Sequence, residues 1–264
     1  MPEPGALGLT FRELGDGPPL LLLNGYAATK DDWDPGFLEA LGGASRVICP
    51  DQRGIGGSPA LPGETTIAAM AADALALADA LDLEAFDLAG WSMGGMVAQE
   101  IAATAPERVG RLVLLSTDHG GPDAVLADPA VWTRLIDHGG SPREQATRLL
   151  SLIFPPELGA VIDEQFGEIV AAARAALPEE TLFAQERAID AWHAAPHGER
   201  TARITAPTLV AAGTEDVVIP PANAGLLAGA LADAHAQTFP GGGHAFMAQV
   251  PVDLAATING FLGR

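Results

Sequence analysis

The sequence predicts an α/β protein built on a largely parallel sheet with helices packed on both faces. Two observations point there. Short apolar runs alternate with longer segments of helical period along most of the 264 residues, which is the pattern of repeated strand and helix units. The runs are apolar throughout rather than alternating, as expected for strands buried on both faces. A third observation concerns residues 118–203, where the strand pattern stops and helix starts and stops crowd together; a helical insertion between two strands is predicted.

Taken in order, Leu7, Leu9 and Phe11 alternate with small or polar residues and read as an edge strand with one wet face. Residues 20–23 form the first buried run and residues 47–49 the second. The lone Cys49 lies in the second run and reads as a small core residue, not a nucleophile. Ile67, Met70, Ala74, Leu77 and Leu81 recur at spacings of three and four, one stripe of a helix that Thr65 or Thr66 would cap. Further strands are predicted at 86–89, 112–115 and 208–212. Inside the insertion, Pro129, the capping box Ser141-Pro142-Arg143-Glu144, Pro155-Pro156 and Pro178-Glu179-Glu180 mark helix boundaries. The expected organisation is one catalytic unit: a core of residues 1–117 and 204–264, with residues 118–203 as a helical cap over the strand ends.

Charge narrows the function. The formal net charge is −20, with only 14 Lys and Arg; nucleic-acid binding needs clustered cations and is excluded, and strongly anionic substrates are disfavoured. The start Met1-Pro2-Glu3-Pro4 has no basic stretch followed by an apolar core, and the run at 20–23 is too short to span a bilayer. A cytoplasmic protein without a membrane partner is therefore expected. His119, His138, His193, His197 and His235 show no paired spacing and no acidic or cysteine partner of a metal site; they read as exposed or packing residues, and no metal is expected. Nothing in the sequence specifies an oligomeric state.

The chemistry lies in three loops. The strand at 86–89 runs into Gly90-Trp91-Ser92-Met93-Gly94-Gly95, and a helical pattern follows through Met96, Val97, Glu100 and Ile101. A serine held on a very sharp strand-to-helix turn needs neighbours two residues away on each side without bulky Cβ groups; Gly90 and Gly94 meet that need. A serine hydroxyl also needs a base, and the base an acid that orients it. Downstream, Gly213-Thr214-Glu215-Asp216 and Gly242-Gly243-His244 place an acid and an imidazole on loops just beyond predicted strands. Asp118, directly after another strand, is a second position for the acid.

These three motifs, with Asp51-Gln52-Arg53-Gly54-Ile55-Gly56-Gly57-Ser58, resemble those of the α/β-hydrolase family across residues 20–261. The resemblance implies a mostly parallel eight-stranded sheet with an inserted helical cap. It implies Ser92 as nucleophile, His244 as general base, Asp216 as orienting acid, and the backbone N–H groups of Tyr26 and Met93 as the oxyanion hole. In the segment 51–58, arginine and aspartate are usually structural. The early loop reads Asn24-Gly25 where family members often carry His-Gly. Trp33, Trp91, Trp132, Phe154, Trp192 and Met247 are candidates for the pocket wall, with packing of cap on core as the alternative role. Glu215, Asp31 and Asp32 read as solvated loop charges. The implied function is hydrolysis of a small carboxylic ester or lactone through an acyl-enzyme, without cofactor. Thioester or carbon–carbon hydrolysis, cofactor-free haloperoxidase or perhydrolase activity, and a non-catalytic receptor on the same fold stay open.

Overall fold

A computed structural model describes residues 7–264; the reading of Met1 to Pro4 falls outside the described residues. Seven strands form one sheet in the order β1-β3-β2-β4-β5-β6-β7. These are β1 (Phe11–Leu14), β2 (Pro19–Leu23), β3 (Arg46–Pro50), β4 (Phe86–Trp91), β5 (Val109–Leu115), β6 (Thr208–Gly213) and β7 (Ala234–Phe239). Only β1 is antiparallel, pairing Phe11 with Pro50 at the sheet edge, while β3, β2, β4, β5, β6 and β7 run parallel to one another. The described residues thus contain seven strands where eight were expected. The edge strand also begins at Phe11, four residues later than the alternation from Leu7 suggested.

The central strands are apolar on both faces because both faces are covered. Leu20, Leu21, Leu22 and Leu23 are all at most 1% exposed, each contributing about 1.5–3 kcal/mol of transfer free energy. Leu21, Ile48 and Leu88 belong to a core cluster with α2 (Ile67–Ala80) and α3 (Met93–Thr104), whereas Leu20, Leu22 and Val47 pack on the other face with α1 (Pro35–Gly42) and α10 (Pro251–Leu262). Helix α2 starts where its stripe does: the Thr66 hydroxyl accepts the Ala69 N–H at 3.0 Å, and Ile67, Met70, Ala74 and Leu77 are buried. Cys49 is fully buried in this core, and burial pushes its thiol up to about 12.

Between β5 and β6 the chain runs through α4 (Pro129–Leu135), α5 (Pro142–Ile153), α6 (Pro156–Ala175), α7 (Glu179–Ala194) and α8 (Gly198–Thr201), with no strand among them. The capping box at Ser141 and Glu144 forms as the spacing required. Helix α9 (Ala222–Ala230) precedes β7. Arg53 is 7% exposed and grips the Asp73 carboxylate with Nε at 2.5 Å and Nη2 at 2.8 Å. Asp51 accepts from Lys30, Thr10 and Gly57. The segment 51–58 therefore ties loops together by buried ion pairs. No helix among the described residues is long and apolar enough to cross a membrane.

Candidate active site

Ser92 stands between the end of β4 and the first turn of α3, at φ 55° and ψ −122°, a region that costs a non-glycine residue about 1–3 kcal/mol. The surroundings hold it there. Its N–H donates to the Leu115 carbonyl at 2.9 Å, and its own carbonyl accepts from the Thr117 hydroxyl at 2.8 Å. The steric need for the flanking glycines is visible: a Cβ on Gly90 would collide with the Gly94 carbonyl, and one on Gly94 with the carbonyls of Leu23 and Asn24.

Asp216 and His244 meet although 28 residues separate them. The carboxylate Oδ2 of Asp216 lies 2.9 Å from His244 Nδ1, and its Oδ1 accepts the N–H groups of Val218 and Ile219, each at 2.9 Å. The residues are 3% and 4% exposed. Their loops are fastened to each other, since the Glu215 N–H donates to the Gly242 carbonyl at 2.8 Å and the Thr214 N–H to the Phe239 carbonyl at 3.0 Å. The indole N–H of Trp91, next to Ser92, donates to the His244 carbonyl at 2.9 Å, which ties the imidazole loop to the elbow. Asp118 is occupied elsewhere: its Oδ2 lies 3.1 Å from His193 Nε2, and its Oδ1 accepts from Gly120 N–H and Trp192 Nε1. Burial alone would raise the Asp118 carboxyl, but those bonds outweigh it and hold the group below the usual carboxylate range.

The loop before α1 closes on the same point. A Cβ on Gly25 would press on the Trp91 ring and the Ser92 Cβ. Asn24, buried, donates from Nδ2 to the Pro50 carbonyl at 2.9 Å, and the Gln52 amide donates to the Asn24 carbonyl at 2.8 Å, so an asparagine supports the loop in place of the more usual histidine. The backbone N–H groups of Tyr26 and Met93 donate to no acceptor among the described residues. The Ala27 N–H is taken by Gln185 at 2.9 Å.

Two cavities open at Ser92. One of about 240 Å³ is lined by Trp33, Trp91, Phe154, Met247, Arg174 and His244 among others; the second, of about 300 Å³, by Met96, Trp132, Ile189 and His193. Tyr26, Ser92 and Leu135 line both. Helices α4, α5 and α6 supply Leu135, Leu150 and Ile162 to the first wall. Five of the six aromatic and methionine pocket candidates thus reach a cavity wall. Trp192 does not: it is 4% exposed in the core, with its indole N–H on Asp118 at 3.2 Å. Asp31 and Glu215 are exposed as expected, while Asp32 is exposed yet borders the first cavity.

The histidines are less idle than their spacing suggested. His193 faces Asp118, His138 Nε2 lies 2.7 Å from Glu186 Oε1, and the His119 and His197 rings stack at 4.0 Å; His119 is buried and only His235 is exposed. Among the described residues no cluster of three or more His, Cys, Asp or Glu is placed to hold a metal. Sequence reasoning missed Arg174, Gln185 and Glu186. The available signal for Arg174 was an arginine four residues after Val170 on a helix with an apolar face.

The fold and this arrangement define a class, and comparison with known proteins agrees: residues 18–249 match the model of the alpha/beta hydrolase fold family. The chain belongs to the α/β-hydrolase family. It is 30% identical over 264 residues to the protein named "Putative carbamate hydrolase RutD" from Azorhizobium caulinodans, covering 98% of this chain and 97% of that one. A crystal structure of a hydrolase from Pseudomonas aeruginosa superposes with a TM-score of 0.82 at 32% identity, covering 97% of this chain and 94% of that one. The enol-lactonase from Burkholderia xenovorans does so with 0.78 at 25% identity, covering 97% and 96%.

Proposed function

We propose that the protein is a serine hydrolase that cleaves a small carboxylic ester or lactone through an acyl-enzyme. The observation that carries this reading is the buried Asp216–His244 pair, tied through Trp91 to the elbow that presents Ser92, with Ser92 and His244 lining one cavity. Ser92 attacks the carbonyl carbon as His244 takes the hydroxyl proton; His244 then protonates the leaving alkoxide, and water releases the acyl group by the reverse sequence. Asp216 holds the proton on Nδ1, leaving Nε2 as the base, and stabilises the imidazolium. The uncommitted N–H groups of Tyr26 and Met93 are the donors for the oxyanion, a single donor of this kind contributing about 3 kcal/mol in related serine chemistry.

Two cavities meeting at Ser92 suit a substrate with an acyl part and a leaving part. The helices of residues 118–203 act as the lid that covers both. A carbamate substrate is the second reading, favoured by the likeness to RutD over nearly the whole chain. The test is labelling of wild type and Ser92→Ala with a fluorophosphonate, followed by a panel of esters, lactones and carbamates. Stoichiometric labelling at Ser92 with turnover of an ester or lactone is expected. Absence of both label and turnover would end the serine-hydrolase reading, and turnover of carbamates alone would replace the substrate.

A further inference from the structure

The wall of the first cavity holds one cation that acyl transfer at Ser92 does not employ. Arg174 lies on α6, one turn after Val170, and both line the cavity with Ser92 and His244. It is 9% exposed. Its Nε has no hydrogen-bond partner, and its side chain makes no hydrogen bond or ion pair to any described residue. A guanidinium carries five N–H donors and cannot shed its charge, so leaving its buried Nε–H without a partner is costly. The charged and titratable groups that face it are Tyr26, Arg148, Asp32 and Glu186. Neither acid answers it: Glu186 Oε1 already takes the Tyr26 hydroxyl at 2.5 Å and His138 at 2.7 Å, and Asp32 Oδ2 takes the Thr29 N–H at 2.6 Å and the Thr29 hydroxyl at 2.8 Å. Burial moves the guanidinium down from its ordinary value and outweighs the opposing pull of Tyr26, Asp32 and Glu186, none of which is hydrogen-bonded to it.

We infer that Arg174 is the anion-recognition residue of this cavity, taking the carboxylate of a monoanionic acyl substrate whose other end is the bond that Ser92 attacks. The inference rests on the serine-hydrolase reading above and narrows its substrate class. Trp33, Leu150, Phe154, Ile162 and Val170 make much of the same wall apolar, which suits a hydrocarbon spacer. The net charge of −20 does not forbid this. Exposed charges beyond about 10 Å are screened, whereas a largely buried guanidinium binds a carboxylate at contact with two parallel hydrogen bonds. Asp32 and Asp34 on the same wall oppose a second negative charge, which sets the limit at one.

The test compares wild type with Arg174→Met, which keeps length and apolar contact, and Arg174→Lys. The probes are the 4-nitrophenyl monoesters of adipate to suberate against neutral 4-nitrophenyl butyrate. The ratio of kcat/KM for the anionic over the neutral ester is expected to fall on the order of 10- to 100-fold in Arg174→Met, carried by KM, and to recover in part with Arg174→Lys. An unchanged ratio, or a wild type without anion preference, overturns the inference. Should Arg174→Met fail to fold, Arg174→Gln carries the same readouts. A binding arm needs no turnover: tryptophan fluorescence, reporting through Trp33 and Trp91, follows monomethyl adipate and dimethyl adipate added to Ser92→Ala with and without Arg174→Met. A selective loss of the monoanion upholds Arg174 even if no ester is hydrolysed, which would then count against the serine-hydrolase reading alone; equal binding of both probes overturns Arg174 whatever the turnover.

Discussion

Replacing Asp216 with Asn changes one atom and, by the local geometry, should disable the base without loosening the fold. One carboxylate oxygen accepts two backbone N–H groups, from Val218 and Ile219 at 2.9 Å each, while the other faces His244 Nδ1 at 2.9 Å. An amide NH2 cannot face two N–H donors, so the asparagine oxygen must take that position and its NH2 must turn to His244. Nδ1 then becomes an acceptor, the ring proton moves to Nε2, and the nitrogen meant to receive the Ser92 proton already carries one. Turnover of 4-nitrophenyl butyrate should drop on the order of 10³- to 10⁴-fold, which is about 4–5.5 kcal/mol at 1.36 kcal/mol per tenfold. The melting temperature should stay within a few degrees, because both amide bonds survive. Asp216→Ala supplies the contrast: it strips both N–H groups of their acceptor, at about 1–3 kcal/mol for each, and should lower Tm by several degrees. If Asp216→Asn retains turnover within tenfold of wild type, the imidazole is not held by Asp216 and the reasoning is wrong; loss of turnover in Asp118→Asn instead would move the acid there.

Three further outcomes are expected. Ser92→Gly should abolish ester turnover yet raise stability by about 1 kcal/mol in urea denaturation, since glycine relieves the strain at φ 55° and ψ −122°; a destabilised variant would show that the elbow is not strained. Arg53→Leu should cost about 3–5 kcal/mol by leaving Asp73 charged and buried without its partner, with KM for 4-nitrophenyl butyrate little altered; a thermal melt matching wild type would refute the structural role. Asp118 has a depressed folded value, so its contribution is full above the unfolded pKa of about 3.9 and is lost as pH falls through the folded one. Urea midpoints at pH 5 and pH 3 should therefore drop more for wild type than for Asp118→Asn, and parallel drops would contradict the paired carboxylate.

Much of this molecule was legible in its sequence, for local reasons. Strands β2, β3, β4 and β6 coincide with runs of buried apolar residues, and α2 with a stripe whose cap is set by Thr66, because burial and helix period act within a few residues. The Gly-x-Ser-x-Gly turn was legible because its steric rule spans only five positions. Strand β7, reading Ala-His-Ala-Gln-Thr-Phe, was not: its pattern of mostly part-exposed and exposed residues lacks the apolar run of a central strand, and pairing with β6 decides it. The length of the edge strand is likewise set by its partner β3.

What the sequence determined by itself was an inventory and an order: an α/β chain, a serine on a tight turn, then an acid and a histidine on later loops. What only the tertiary structure decided was pairing. Asp216 and Asp118 were both eligible for His244 until the fold put one beside that ring and the other beside His193. Trp192 could have faced a pocket until packing turned it to the core, and nothing in the chain set Arg174 apart until the fold left its Nε buried without a partner on the wall of a cavity that Ser92 also lines. The reason is physical: propensity and period are sums over neighbours in the chain, whereas a proton-transfer pair or a desolvated charge depends on atoms within about 3 Å that the chain alone does not bring together.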